Sequence, residues 1–171
     1  MKIYTGIGSR STPEPILNAM TQIAQALNPR FWVLRSGHAD GADKAFEKGA
    51  KFKEIYLPWA GFNGSVPGQL THTVVEWSAE LERVASSFHP NWSACSSGAR
   101  KMHIRNVCQI LGEDLKTPTD LVICWTPQGS GSGGTGQAMR IAHGHSIPVF
   151  DLALVDHQKD LLEFLDLREA A

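Results

Sequence analysis

The chain has 171 residues, of which 42% are hydrophobic, and its 16 Lys and Arg against 17 Asp and Glu leave a formal net charge of −1. A chain of this length buries roughly 70% of its unfolded surface, so one globular domain forms without disulfide or metal staples. The charge balance argues against a broadly basic nucleic-acid coat while leaving a local basic patch open, and no apolar run approaches the ~20 residues of a membrane span.

The opening residues, MKIYTGIGSR, lack an apolar signal stretch, so a cytoplasmic protein without membrane contact is expected. Cys95, Cys108 and Cys124 form no CxxC pair, and reduced thiols are the default for such a set.

In chain order, residues 2–7 read as a first strand, closed by Gly6-Ile7-Gly8-Ser9-Arg10, a turn too rich in glycine to extend it. Thr12 as N-cap and Pro13 at the first helical position then open a helix. Its Ile16, Leu17, Met20, Ile23, Ala24 and Leu27 recur at the spacing of one buried face, and Asn28-Pro29 ends it. Residues 31–34 form a second strand, 36–41 a turn, 42–50 a helix and 54–57 a third strand closed by Pro58. From 59 to 97 this rhythm breaks. Trp59, Gly61, Phe62, Gly64, Pro67 and Gly68 suggest an irregular loop, followed by a short helix over 74–85 and a second loop through Pro90 to Gly98. About forty residues exceed a plain connection, so the segment reads as an insertion or lid. A helix over 99–111 and a strand over 121–125 restore the alternation. After the run from Gly129 to Gly136 come a helix over 137–143, a strand over 148–152 and a terminal amphipathic helix with Leu161, Leu162, Phe164, Leu165 and Leu167. Strands alternating with helices predict a single-domain α/β fold, a parallel sheet flanked by helices on both faces. In such sheets ligands gather beyond the carboxyl ends of the strands.

Three strand-to-helix turns there are rich in small residues. In the first, Gly8 and Ser9 let the backbone approach a ligand, and Arg10 offers a bidentate fork for phosphate or carboxylate. The second, Ser36-Gly37-His38-Ala39-Asp40-Gly41-Ala42-Asp43, leads into a helix whose free N–H groups hold an anion. The third is the Gly129–Gly136 run, which includes Gly133, Gly134 and Thr135. Any one of them alone reads equally as a tight turn, and Gly/Ser-rich runs are often linkers. Three at equivalent positions form a polar, backbone-lined cradle. The third also fits G-x-G-x-x-G, with Asp151 at the distance of a ribose-binding acid, but only one strand and one helix follow it, where that fingerprint opens a first βαβ unit. No Walker A sequence is present.

Arg100, Lys101, His103, Arg105 and Asn106 make the most basic stretch, which reads equally as a solvated face; the Arg105-Asn106 pair is placed at a helix start ahead of apolar Val107, Ile110 and Leu111, able to point into the cradle. His143-Gly144-His145 offers two imidazoles without a third ligand, so a surface turn is the better reading and no metal centre is expected. Asp40 and Asp43 suit ribose hydroxyls or a magnesium ion, and equally a helix cap. Cys108 and Cys124 read as apolar packing.

Together, Gly8-Ser9-Arg10, the Ser36–Asp43 motif, Arg105-Asn106 leading to Gly112, and Gly133-Gly134-Thr135-Gly136-Gln137-Ala138 occur in an order that resembles DprA-like (DNA-processing protein A, SMF) domains. These belong to the SLOG superfamily, with the LOG-type nucleotide hydrolases. The resemblance spans residues 3–152, and the second motif, similar to Ser-Gly-x-Ala-x-Gly-x-Asp, is its most specific part. It implies a Rossmann-like fold with a pocket for nucleotides, their derivatives or a phosphodiester backbone. In DprA the equivalent surface is basic and binds single-stranded DNA beside a recombinase. The chain is shorter than that protein's usual multidomain form, and its 59–97 segment is foreign to it. Short members of this kind are typical of phage genomes and defence loci. LOG enzymes carry Gly-Gly-x-Gly-Thr-x-x-Glu; aligning Gly133-Gly134-Thr135-Gly136-Gln137 on it puts Arg140 at the glutamate position, with Glu47 or Asp40 as substitutes.

The leading expectation is therefore a protein that binds a nucleotide or nucleotide-derived ligand, most simply as a homo-oligomer. Gly8, Ser9, Arg10, Ser36, Gly37, Gly133, Gly134 and Thr135 would hold phosphate. Asp40 or Asp43 would take ribose, Arg105 with Asn106 would complete charge neutralisation, and Trp59, Phe62, Trp77 and Trp92 would be candidates to stack a base, with core packing the better reading for Trp77. The alternatives are a single-stranded DNA-binding recombination mediator, needing a basic surface from Arg10, Arg30, Arg35, Lys101 and Arg105, and a nucleotide N-glycoside hydrolase.

Overall fold

The computed structural model describes residues 1–66 and 68–166; Pro67, in the expected loop, and Leu167, in the expected terminal helix, lie outside the described residues. The chain alternates β1 (Ile3–Gly6), α1 (Glu14–Leu27), β2 (Val33–Ser36), α2 (Ala42–Gly49) and β3 (Lys53–Leu57). Then come β4 (His72–Val74), α3 (Ala79–Ser87), α4 (Ser97–Leu111), β5 (Leu121–Cys124), α5 (Gly133–Gly144), β6 (Val149–Asp151) and α6 (Val155–Phe164). The strands form one sheet in the order β4-β3-β2-β1-β5-β6, with every pairing parallel.

The sheet is covered on both faces, which is why its central strands read as apolar runs. The pleat sends Leu121 and Ile123 to one face, where they meet Met20, Ala24 and Leu27 of α1, Phe46 of α2 and Leu161 of α6. Val122 and Cys124 face the other way, onto Leu81 of α3, Val107 and Cys108 of α4, and Ala138 and Ile141 of α5. Cys108 and Cys124 are packing residues there, and burial pushes the Cys108 thiol up to about 12.

Three local readings change. The first helix starts at Glu14 with Pro13 as its N-cap, and Thr12 instead donates its hydroxyl to the Ser9 carbonyl at 2.7 Å, closing the preceding turn. The 59–97 segment supplies β4 as well as α3. Strand β4 is a short edge strand defined by its bonds to β3, from Ile55 N to Thr71 O (2.7 Å) and Val75 N to Leu57 O (2.9 Å). Arg105 and Asn106 lie in the second half of α4, since that helix starts at Ser97 with the Ser96 hydroxyl accepting the Ala99 N–H at 3.2 Å.

From β1 the chain builds outward through β2, β3 and β4, then crosses back to place β5 on the other side of β1. The connections leaving β1 and β5 therefore diverge and open a crevice at their carboxyl ends, the switch point at which α/β sheets bind ligands. None of the described helices is long and apolar enough to cross a membrane.

Candidate functional site

A cavity of about 380 Å³ occupies that crevice. Gly8, Ser9 and Arg10 enter it from the β1–α1 turn, Asp43 from α2, Arg105 and Asn106 from α4, and Gly133, Gly134 and Thr135 from the start of α5. Three of the expected residues do not line it. Ser36 donates its hydroxyl to the Gly6 carbonyl at 2.6 Å, Gly37 lies behind the cavity wall against Arg105, and Asp40 is exposed and paired with Lys44 at 2.7 Å. The Lys44 hydrogen bond holds the Asp40 carboxyl below its ordinary range.

Arg105 dominates the site electrostatically. Only 3% of the residue is exposed, and its charged neighbour is Asp43, with Nη1 3.6 Å from Oδ2, beyond a normal hydrogen bond. Nε and Nη1 make no hydrogen bond, while Nη2 reaches the Met102 sulfur at 3.9 Å. Burial pulls the guanidinium pKa down and Asp43 opposes it. Asp43 is held by the backbone N–H groups of Gly37 (3.1 Å) and Ala39 (3.5 Å) and by Gly8. Burial pushes its carboxyl up to about 6 against the pull of Arg105 and those N–H groups.

Met102, Arg105, Asn106 and Gln109 recur at i, i+3, i+4 and i+7, so α4 presents them as one stripe to the cavity. Gln109 and Met102 were missed from sequence although this spacing was readable. The Gln109 Nε2 is buried without a hydrogen-bond partner. Asn106 donates to Gly134 O and Gln137 Oε1, both at 3.1 Å, and so fixes the start of α5.

At that start, Ser132 is the N-cap without a side-chain cap bond, and the first N–H of α5 with a helical acceptor is that of Gly136, to Ser132 O. The N–H groups of Gly133, Gly134 and Thr135 precede it at the positive end of the helix dipole. A Cβ at Gly136 would stand 1.7 Å from the Gly131 carbonyl oxygen, so only glycine lets the loop fold back over the helix. Asp151 anchors this loop. Its carboxylate accepts the Thr126 hydroxyl, the Thr126 N–H at 3.1 Å and the Ala153 N–H at 3.0 Å, and Thr126 Oγ1 accepts the Gly131 N–H at 3.0 Å. With 1% of its surface exposed, Asp151 is a strut rather than a ribose ligand. Thr126→Val is expected to cost about 2 kcal/mol in urea denaturation, because it strips a buried carboxylate of a charge-assisted bond.

Other expected contributors are placed elsewhere. Phe62 is buried, with the Arg105 guanidinium 5.8 Å above its ring, and Trp59 packs edge-on to it. Trp77 is 41% exposed, outside the core, and donates to Glu82 at 2.8 Å; Trp92 stacks under Arg100. Arg35 is buried against Glu54 and the Thr117 carbonyl, and Arg30 binds the carbonyls of Leu165 and Asp166 near Met1 and Lys2, at the amino end of the sheet. Arg10 and Lys101 remain exposed. Arg140 donates to the Phe88 carbonyl at 2.8 Å, and neither Glu47 nor Asp40 lines the cavity.

No protein-family model matches the chain, and no curated protein does. Among solved structures it is similar to DNA processing protein A from Helicobacter pylori, described for its single-stranded DNA binding mode, with a TM-score of 0.51. The match covers 96% of this chain and 72% of that one at 15% identity. At that identity the likeness is one of fold: the architecture is DprA-like and Rossmann-like.

Proposed function

We propose that the cavity binds the phosphate of a nucleotide or a nucleotide-derived ligand. The observation that carries this reading is Arg105, a buried guanidinium at the cavity wall whose Nε lacks a hydrogen bond and whose Nη1, set against Gly37 and 3.6 Å from Asp43, is only loosely paired. Each buried donor left unsatisfied costs about 1–3 kcal/mol, which an incoming phosphate oxygen removes. The N–H groups at the start of α5 add donors, and Ile7, Met102 and Ala138 supply apolar wall for the rest of the ligand. Thermal-shift and calorimetric titration with inorganic phosphate, mononucleotides, cyclic nucleotides and dinucleotides tests it. At 100 times Kd a true ligand stabilises by about 2.7 kcal/mol, raising Tm by roughly 5–10 °C. No shift with any of these compounds overturns the reading.

Binding should follow the protonation of Asp43. Its folded pKa lies above the ordinary carboxylate value, so the fold favours the neutral acid. Stability contributed by this group is present below about pH 4 and is lost as pH rises through about 6. Below about 6 the neutral acid also no longer competes for Arg105. A cyclic nucleotide, whose phosphodiester does not titrate in this range, should therefore bind about 10-fold tighter at low pH than at neutral pH, a difference of about 1.4 kcal/mol. Asp43→Asn should abolish the dependence; a slope unchanged in that variant would assign it to another group.

Single-stranded DNA is the second reading. The fold shared with a protein described as binding it and the exposed Arg10 and Lys101 favour it, whereas the commitment of Arg30 and Arg35 to internal partners narrows the basic surface. A labelled oligonucleotide should then bind with affinity falling steeply with salt, and absence of binding at low salt excludes it.

A further inference from the structure

We propose that His38, Glu47 and His72 form a binding site for a divalent transition-metal ion of the zinc class. The turn after β2, helix α2 and edge strand β4 each contribute one of these side chains, and one ligand atom from each lies within 4.8 Å of the others. His38 Nδ1 is 2.8 Å from Glu47 Oε2, and His72 Nε2 is 3.1 Å from Glu47 Oε1. Ligand atoms on a tetrahedral ion with bonds of ~2.0–2.1 Å stand about 3.3 Å apart, so the two histidine–Glu47 contacts need to open by roughly 0.2–0.5 Å, and the imidazole pair starts within 4.8 Å.

The side chains of His38, Glu47 and His72 are 16%, 12% and 7% exposed. His72 Nε2 is buried and, although Glu47 Oε1 attracts it from 3.1 Å, it makes no hydrogen bond of good geometry. A hydrogen-bonded Glu–His pair accounts for His38 and leaves this buried nitrogen only weakly satisfied; a cation between imidazole and carboxylate satisfies both. Lys53 donates to the Glu47 backbone carbonyl at 2.7 Å and leaves both carboxylate oxygens to the rings. Two neutral imidazoles and one carboxylate are a zinc donor set with a position left open, whereas magnesium prefers oxygen alone.

A second group among the described residues, His89, Cys95 and His103, also meets the spacing, but it differs in chemistry: His89 Nδ1 accepts the Asn91 N–H at 3.2 Å, its Nε2 lies 3.6 Å from the Cys95 sulfur, and any ion there would carry a thiolate. It serves as the internal control. Full-length protein stripped with chelator is titrated with ZnCl2 by calorimetry and with CoCl2 by absorption. The expected result is an equivalent of zinc per chain that His72→Ala and His38→Gln each lose and Cys95→Ser retains, with cobalt ligand-field bands lacking thiolate charge transfer and with no MgCl2 binding. Loss of a ligand should weaken binding beyond the ~10–100-fold typical of supporting partners. Circular dichroism of the metal-free variants checks folding, and His38→Gln carries the test should His72→Ala fail to fold. No zinc binding, or zinc lost in Cys95→Ser and kept in His38→Gln, overturns the proposal.

Discussion

Arg105→Ala is expected to lower phosphate affinity roughly 100-fold, close to 3 kcal/mol, the value of charge-assisted bonds from a fork that no neighbouring side chain replaces. Calorimetric titration with inorganic phosphate reads this directly. The same variant leaves Asp43 buried without its counter-charge, at a site where the carboxyl already sits at about 6. Its loss of stability should therefore be small in acid and grow as the pH rises through neutrality, toward the ~3–5 kcal/mol of a broken buried pair. Arg105→Lys keeps the charge but not the planar fork and should recover only part of the affinity. Full phosphate binding by Arg105→Ala would refute the assignment of the guanidinium as the anion ligand.

Gly37→Ala should be nearly as damaging although Gly37 does not line the cavity. An added Cβ would lie 1.2 Å from Arg105 Nη1 and 2.3 Å from its Cζ, with Gln109 Nε2 at 2.8 Å. The methyl and the guanidinium cannot share that volume, so the arginine must leave its place or the turn after β2 must shift. Overpacking of this kind costs about 3 kcal/mol, a fall in Tm of roughly 6–12 °C, and phosphate binding should fail with Arg105 still present. The double variant separates this mechanism from general damage to the turn. Truncating Arg105 makes room for the methyl, so Gly37→Ala should cost far less in the Arg105→Ala background; additive losses would refute the steric account.

Three residues of the second motif have structural reasons for their identity. Ser36 is small and polar because its hydroxyl bonds the end of β1, Gly37 is bare because Arg105 lies against it, and Asp43 binds the turn back onto itself. Only Asp43 of these three lines the cavity. A motif legible as ligand-binding is thus largely the mount for an arginine some seventy positions later in the chain.

Hydrophobic period and glycine-rich turns were sufficient for the alternating strands and helices, the parallel sheet and the turns that bring Gly8, Arg10 and the start of α5 to the cavity, because those signals are local. Strand β4 escaped such reading because His72-Thr73-Val74 has no apolar alternation and is defined by bonds to β3. Trp77 was misread for the converse reason: an apolar side chain at a helical spacing does not reveal that the helix begins two residues later. Whether Asp151 met a ribose or a threonine, whether Arg105 was solvated or buried, and whether His38, Glu47 and His72 met at all were decided by the packing of distant elements. Burial and partnership depend on which surfaces the sheet brings face to face. The sequence by itself determined the class of fold and the edge of the sheet that carries the cavity; the tertiary structure decided which charges there are paired, because pairing is a property of distances between elements that no local pattern encodes.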